Sequence, residues 1–352
     1  MKKWVRALAP VAIAGMLVAL ASCKGDTGPQ GPAGSANCMH CHTDDALVGL
    51  DSAAALQYFL LPYETQFAVS RHALSDTYLR RGSEADPVCG RCHTTEGFQY
   101  YIATGELEFF GASSHISCFA CHAPHTNEDF SLRKQGPTVE FMGANYDKEE
   151  SNTCAVCHQA RYPNPSIESD SVITSSRWGP HHGPQSNILA GSGAYVLPGV
   201  TYNNQAAHNI GISNGCVNCH MAALPLNNVA GGHSFAITYE GTSGEVVNSS
   251  GCTCHNWTDA QATTEVATLQ AEFADSLSAL GDMLLAKNWL NATKDAVTTN
   301  AKAPTTPQTR GIVYNYLMLL EDKSGSVHNP KYAMSVVRAA MAYLRGLEVA
   351  GL

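Results

Sequence analysis

The sequence has few charged residues and no excess of basic ones. Charged residues make up 14% of the 352 positions, with 21 Lys and Arg against 30 Asp and Glu. The resulting net charge of −9 argues against nucleic acid and anionic membrane surfaces as partners, because both attract basic patches. With 30 Gly and 16 Pro, the chain is also too rich in loop-forming residues for a purely aliphatic core. We therefore expect a bound cofactor to occupy much of the interior.

The sequence also lacks an apolar run typical of a membrane span. Its longest apolar stretch, Ala7 to Ala21, is short and is interrupted by Pro10 and Gly15. Basic residues precede this stretch, and small residues lead up to Cys23. The pattern predicts a lipoprotein signal peptide over residues 1–22, with lipidation of Cys23. Removing the peptide leaves 18 basic and 30 acidic residues, a net charge of −12.

The residues after the predicted cleavage site indicate where the chain is delivered. Lys24 stands where bacterial lipoproteins retained at the inner membrane usually have Asp, so the resemblance implies an outer-membrane lipoprotein facing the periplasm or the cell surface. Residues 23–36 carry Gly at every third position from Gly25 to Gly34. This run is too short for a triple helix, and we interpret it as a flexible or polyproline-like tether.

Cysteine is abundant instead, and its spacing is regular. The other 12 Cys form six pairs, each followed at once by His. Two thiols at CxxC spacing can bond the two vinyl groups of one haem, and the next residue then brings an imidazole to the iron. Zinc also binds paired thiols but does not need a His directly after each pair. Five pairs have this spacing: Cys38-Cys41-His42, Cys89-Cys92-His93, Cys118-Cys121-His122, Cys154-Cys157-His158 and Cys216-Cys219-His220.

The sixth pair, Cys252-Thr253-Cys254-His255, is one residue shorter. We predict six c-type haems, or five if this shortened motif is unused. Six haems in 330 mature residues leave 55 residues for each haem. At that density the haems themselves form the core and must lie close together, which favours electron transfer.

Nine His remain after the six proximal ones are assigned, which is enough to supply a second ligand to every iron. A chain so poor in charge has few other uses for them, so we expect six or seven to be ligands. They are His40, His72, His115, His125, His181, His182, His208, His233 and His328.

The pattern of apolar residues predicts a mainly α fold with long loops, wrapped around a haem core. Short periodic pieces broken by Gly, Pro and Asn fill the multihaem domain, residues 37–257. In the helical region 258–352, one amphipathic helix is predicted from Thr258-Asp259 to near Asn291. Two more are predicted after a linker that runs through Pro307, one from about Gly311 to Glu321 and one from Pro330. Their apolar stripes predict packing within the chain, with a homo-oligomer as the alternative.

The order of motifs resembles the pentahaem cytochrome c nitrite reductases and their hydroxylamine-oxidising and tetrathionate-reducing relatives. The resemblance covers roughly residues 70–345. It is most specific in the C-terminal half, at His208, Cys216–His220, Gly232-His233, Cys252–His255 and His328-Asn329-Pro330. It implies distal ligands residue by residue: His72 for the iron of His158, His233 for that of His122, His328 for that of His220, and His208 for that of His255.

Three departures from this family bear on catalysis. His93 stands where the nitrite reductases usually have a Lys ligand and an open iron. The segment Trp178–Pro184 should reach that iron, so either His181 or His182 could bind it, and His182 is included in the predicted ligand set. The family's calcium-binding Glu is absent after His158, and Tyr162 lies one residue later than the catalytic Tyr.

The motif at Cys38 is additional to the family pattern. Its iron needs a distal ligand from elsewhere in the chain. His115 or His125 is plausible, with His40 left for another role. We include His115 in the predicted ligand set.

Two functions follow from these observations. The first is an electron carrier of mostly bis-His haems, lipid-anchored and serving redox partner proteins or an extracellular acceptor in anaerobic respiration. The alternative is a reductase of nitrite, hydroxylamine or tetrathionate at the haem of His93, with Arg91, Tyr162 and His181 as candidate catalytic residues. The extra haem, the missing Lys and the lipid anchor favour the first.

Overall fold

The computed structural model describes residues 52–74, 79–80, 84–85, 87–111, 113–124, 130–134, 136–139, 145–160, 167, 172–224 and 228–346. One compact unit comprises Gln57–Leu352. Several predicted residues lie outside the described ranges, namely Cys23, His40, the motif Cys38-Cys41-His42, His125 and Tyr162.

Helices dominate the described residues, as predicted for a mainly α chain. Most helices before residue 258 are short. They are α1 Ser52–Ala68, α2 Arg71–Leu74, α3 Pro87–His93, α4 Thr95–Thr104, α5 Cys118–Cys121, α6 Ser151–Ala155, α7 Gln185–Ala190, α8 Ala207–Ile210 and α9 Gly215–His220. The three that follow are longer: α10 Asp259–Ala286, α11 Pro307–Asp322 and α12 Pro330–Leu344.

The described strands form only small antiparallel pairs. Two of the pairs are two residues long, and the third is a hairpin in which Gly241 pairs with Gly244 across a two-residue loop. The strands are β1 Leu79–Arg80, β2 Glu84–Ala85, β3 Thr138–Val139, β4 Asn145–Tyr146, β5 Thr238–Gly241 and β6 Gly244–Val247.

The three C-terminal helices begin at side-chain caps. Thr258 accepts a hydrogen bond from the Gln261 backbone at the start of α10, and the Gln261 side chain accepts one from the Thr258 backbone. Thr306 caps α11 in the same way, with Pro307 in the first turn. The helix therefore starts at the proline that was predicted to end the linker, because a proline needs no hydrogen-bond partner in a first helical turn. The predicted start of α12 at Pro330 is confirmed.

These helices pack on one another and on residues 173–202 to form the main apolar core. Leu280 and Leu284 of α10, Ile312 of α11 and Val336 of α12 are fully buried. Gly281 allows a close approach, since a Cβ at this position would lie 2.8 Å from the Tyr316 hydroxyl of α11. The C-terminal half of the apolar stripe on α10 is thus buried within the chain, while Val266 and Leu269 in the N-terminal half are only half-buried.

Elsewhere in the compact unit, apolar packing is sparse. Two further clusters contain three buried residues each, one around Phe98 and Val156 and the other around Tyr146 and Leu189. None of the helices among the described residues is long and apolar enough to cross a membrane.

Candidate cofactor site

The described CxxCH motifs lie on single turns of helix. The Cys89 motif ends α3, the Cys118 motif begins with α5, the Cys154 motif starts in α6, and the Cys216 motif fills α9. On a helical turn, side chains three residues apart lie on one face, so both thiols of each motif point the same way. The Cys252 motif instead follows a 3-10 turn, Ser249–Gly251, and its two thiols, two residues apart, would not share a helix face.

Each described motif His lies opposite one other His. The ring centres are separated by 6.1 Å in two of these pairs and by 6.2, 6.3 and 6.5 Å in the others. The pairs are His158 with His72, His122 with His233, His255 with His208, His220 with His328, and His93 with His181. Four of these five pairs are those that the family resemblance implies.

This separation fits two imidazoles that share one iron. With metal–nitrogen bonds of roughly 2.0 Å and about 1.15 Å from nitrogen to ring centre, the two centres would stand about 6.3 Å apart. Directly stacked rings would lie much closer, as His255 and Trp257 do at 4.0 Å. Among the described residues, no three His, Cys, Asp or Glu side chains cluster as a metal site. The donor set is therefore one of His pairs beside thiol pairs, which suits haem c.

Hydrogen bonds donated by Nδ1 fix the tautomer of several of these imidazoles. The His122 Nδ1 donates to the Phe130 carbonyl at 2.5 Å, and the His220 Nδ1 to the Phe235 carbonyl at 2.9 Å. The His208 Nδ1 donates to the Val327 carbonyl at 2.7 Å. Since a carbonyl oxygen only accepts, the proton resides on Nδ1 and the Nε2 lone pair is left to bind a metal.

Burial keeps other imidazoles of the set neutral. Burial, with His158 nearby, lowers the pKa of His72 to about 4. Burial also lowers the pKa of His220 and of His233. These groups are uncharged at pH 7, which is the form that binds a metal.

The structure places His181, rather than His182, opposite His93. His181 adopts a left-handed backbone conformation, with a φ of 63°, so the two consecutive side chains diverge. The His182 side chain is 70% exposed and bonds the Glu321 carboxylate through Nδ1 at 2.7 Å. Of the two candidates His181 and His182, the structure thus brings His181 to His93 and leaves His182, the one in the predicted ligand set, at the surface.

Two further predicted residues are not members of the five His pairs. The Arg91 guanidinium is buried and lies 4.8 Å from the centre of the Tyr101 ring. His115 is exposed, and its carbonyl accepts a hydrogen bond from the Thr95 hydroxyl at 2.6 Å. Its proposed partner at Cys38 lies outside the described residues, so its role as a ligand stays a prediction.

One cavity of about 2670 Å³ is lined by nine of the ten paired His and by eight motif Cys. Ordinary ligand pockets are roughly 300–1,000 Å³. The space therefore suits several large cofactors.

Contacts between the motifs arrange them in a series. The Cys157 thiol hydrogen-bonds the Cys92 thiol, and the Cys154 thiol hydrogen-bonds that of Cys216. At the far end of the series, Gly251 lies directly against Cys219, since a Cβ at Gly251 would lie 2.8 Å from its Cα. The motif of His158 is thus central, with the motifs of His93 and His220 on either side and that of His255 beyond His220.

The motif of His122 joins this series at its centre. Ala120 packs with Val156 in one buried cluster, against which Cys121 and Cys157 also pack. The motif of His122 therefore branches off beside that of His158.

Two contributors to the site escaped sequence analysis. The side chain of Phe235 has no hydrogen-bonding group, yet its backbone carbonyl accepts from His220 and its ring lies 4.9 Å from that of His72. The segment 321–328, from the end of α11 to His328, contacts His182 through Glu321 and His208 through Val327. A backbone carbonyl has no signature in a sequence, and these contacts depend on tertiary packing alone.

No protein-family model matches the chain, and no curated protein matches it. Among solved structures, the crystal structure of the outer cell wall cytochrome OcwA matches with a TM-score of 0.52 and 19% sequence identity. The match covers 79% of this chain and 49% of that chain, so this chain spans about half the length of OcwA. The two chains share a fold over that length, and membership of the nitrite reductase family stays a prediction.

Proposed function

We propose that this chain is a multihaem c-type cytochrome that relays electrons. Haem supplies one-electron redox chemistry between Fe(III) and Fe(II). The five described motifs would attach five haems through their Cys pairs, and the motif Cys38-Cys41-His42 would attach a sixth. The chain would wrap these haems with its short helices and loops.

The observation that carries this proposal is the pairing of every described motif His with a second His at 6.1 to 6.5 Å. Two imidazoles on one iron keep it low-spin and change little in geometry between oxidation states, which favours fast electron transfer. The set includes His93, whose partner His181 occupies the side where a substrate would otherwise bind. The residues at this haem therefore favour a relay over a reductase.

The contacts between motifs support a route for the electrons. The motifs of His93, His158, His220 and His255 touch in that order, and the motif of His122 branches from the second. Side chains of one motif thus reach the next without intervening structure. Haems attached to these motifs would lie close enough to exchange electrons through the protein interior.

The similarity to OcwA supports the same assignment, since that protein is named as a cytochrome of the outer cell wall. We propose by extension that this chain is exported and anchored to the outer membrane through lipidated Cys23, facing the periplasm or the cell surface. Its partners would be redox proteins or an extracellular acceptor, without nucleic acid.

Low-temperature EPR of the oxidised protein tests the proposal, together with a pyridine haemochrome assay of haem per chain. We expect near six haems per chain, or five if Cys252 and Cys254 are unused, and only low-spin signals. Bound zinc without haem would contradict the whole assignment. A high-spin haem with nitrite or hydroxylamine reduction at rates on the order of 1 to 10³ per second would instead identify a reductase at the haem of His93.

A further inference from the structure

The hydrogen bond that His328 donates goes to a carboxylate. Its Nδ1 donates to the Asp322 carboxylate, with 2.6 Å between Nδ1 and Oδ1. His208 donates instead to a neutral backbone carbonyl. The Nδ1 of His233 is buried without a hydrogen-bond partner. A full negative charge behind the imidazole thus distinguishes His328 from these two.

The Asp322 carboxylate is shielded from solvent and from cations. Its side chain is 2% exposed. Its Oδ2 accepts a hydrogen bond from the Ser324 hydroxyl, and no Lys or Arg within the described ranges forms an ion pair with it. Its charge is therefore screened little by water and acts strongly on its nearest neighbour, His328.

From this contact we infer that Asp322 is a positioning residue that lowers the reduction potential of the haem bound by Cys216 and Cys219. The inference rests on the proposed function, because it takes His328 and His220 as the two ligands of that iron. It adds a residue that sets the reduction potential of one haem, and with it the free-energy change of electron transfer to and from that haem.

The physical reason is the polarisation of the Nδ1–H bond. A carboxylate that accepts this proton makes the imidazole a stronger electron donor through Nε2 and stabilises Fe(III) relative to Fe(II). The negative field of this buried carboxylate also favours the more positive iron directly.

The test is spectroelectrochemical titration of the haem-loaded full-length chain carrying Asp322→Asn. Asparagine keeps a carbonyl oxygen that can accept from Nδ1 but removes the charge. We expect one haem to become easier to reduce, with the ratio of Fe(II) to Fe(III) at a fixed potential rising about tenfold, or 59 mV for one electron. The EPR signal of that haem should shift while the others stay unchanged.

Ser324→Ala gives a second test with the opposite sign. Its hydroxyl donates to Oδ2 and draws charge away from Oδ1. The same hydroxyl also accepts a hydrogen bond from the His328 backbone at 3.3 Å. Removing it should lower the potential of the same haem, with the covalent haem content and the potentials of the other haems unchanged. Glu321→Gln is the matched control, since it removes a neighbouring carboxylate that bonds His182 instead, and it should leave that haem unchanged.

His328→Met identifies the affected haem and separates the two hypotheses. It should change the ligation of one haem without loss of covalent haem. If it changes none, the ligand assignment in the proposed function is wrong. If it changes one haem but neither Asp322→Asn nor Ser324→Ala moves the potential of that haem, the inference about Asp322 is overturned. Should Asp322→Asn fail to accumulate with haem, the sign of the Ser324→Ala shift decides.

Discussion

The C-terminal helices and the segments that carry the motifs belong to one compact unit but are stabilised differently. Helices α10 to α12 bury a continuous set of Leu, Val, Ile and Tyr side chains. Around the motifs, the apolar clusters contain three buried residues each, and a cavity of about 2670 Å³ lies among the Cys and His. Side chains fill the interior of one region, whereas the other encloses a cavity that suits cofactors.

The difference indicates which interactions each region needs in order to fold. Each fully buried Leu or Val contributes about 1.5–3 kcal/mol, so the C-terminal helices can be held by ordinary packing. The motif region has too few such residues to offset the entropy of its long loops, which costs about 1–2 kcal/mol per ordered residue. Its stability should therefore depend on covalent haem.

The largest effect is expected when the two thiols of the central motif, that of His158, are removed. Cys154→Ser with Cys157→Ser should abolish accumulation of the folded chain, because these thiols touch those of Cys92 and Cys216. The yield of haem-loaded protein measures the effect. Cys252→Ser with Cys254→Ser is the control at the edge of the series and should remove at most one haem while the rest remains folded. Equal effects of the two double variants would contradict a haem-dependent centre.

A substitution in the apolar core should lower the stability of the fold without changing its haem content. Leu280→Ala should lower the free energy of unfolding by about 2–5 kcal/mol, through lost burial and a new cavity. Haem content and EPR signals should not change, since Leu280 belongs to the main apolar core and not to the two clusters beside the motifs. Denaturant unfolding followed by far-UV circular dichroism gives the value. Val266→Ala, on the half-buried turn of α10, should cost clearly less, and a loss of haem in Leu280→Ala would show that the regions are not separable.

Opening one iron should alter spectra more than stability. His181→Ala should remove the partner of His93 and produce one high-spin signal together with cyanide binding that the parent lacks. His182→Ala is the matched control, because its ring bonds Glu321 and is mostly exposed. EPR and optical titration with cyanide measure both variants. Cyanide binding by the parent at the same rate as His181→Ala would mean that His181 does not occupy the iron.

The smallest effect is expected where the two regions join, at Asp259. Its carboxylate accepts hydrogen bonds from the Ser249 hydroxyl at 2.6 Å and from the Tyr239 hydroxyl at 2.7 Å, and these bonds lower its pKa. A lowered pKa in the folded state stabilises the fold above the unfolded value of about 3.9, and the contribution is lost as the pH falls through the folded pKa. Asp259→Asn should thus cost about 1 kcal/mol at pH 7 and less at pH 3.

Thermal unfolding at the two pH values provides the measurement for Asp259. Asp275→Asn, at an exposed position of the same helix, should have no effect at either pH. A cost for Asp259→Asn that is the same at pH 3 and pH 7 would rule out the charged form as its source.

Much of the architecture was predictable because its signals are local. Thr258 and Gln261 form a capping box within four residues, and Pro330 marks the first turn of α12, so both helix starts were placed correctly. The prediction for the start of α11, at about Gly311, is wrong by four residues, since the helix begins at Pro307. Proline is favoured in a first helical turn and does not mark the end of the linker here.

By itself, the sequence determined the thiol pairs and the His that follows each of them, because covalent neighbours cannot separate. Only the tertiary structure decided which distant His meets each one, over separations from 47 residues for His208 and His255 to 111 for His122 and His233. It alone chose His181 over His182, through one left-handed residue. It also brought Asp322 to His328 and Phe235 to His220. These contacts depend on how distant loops pack around a shared interior. Local spacing along the chain does not predict that packing.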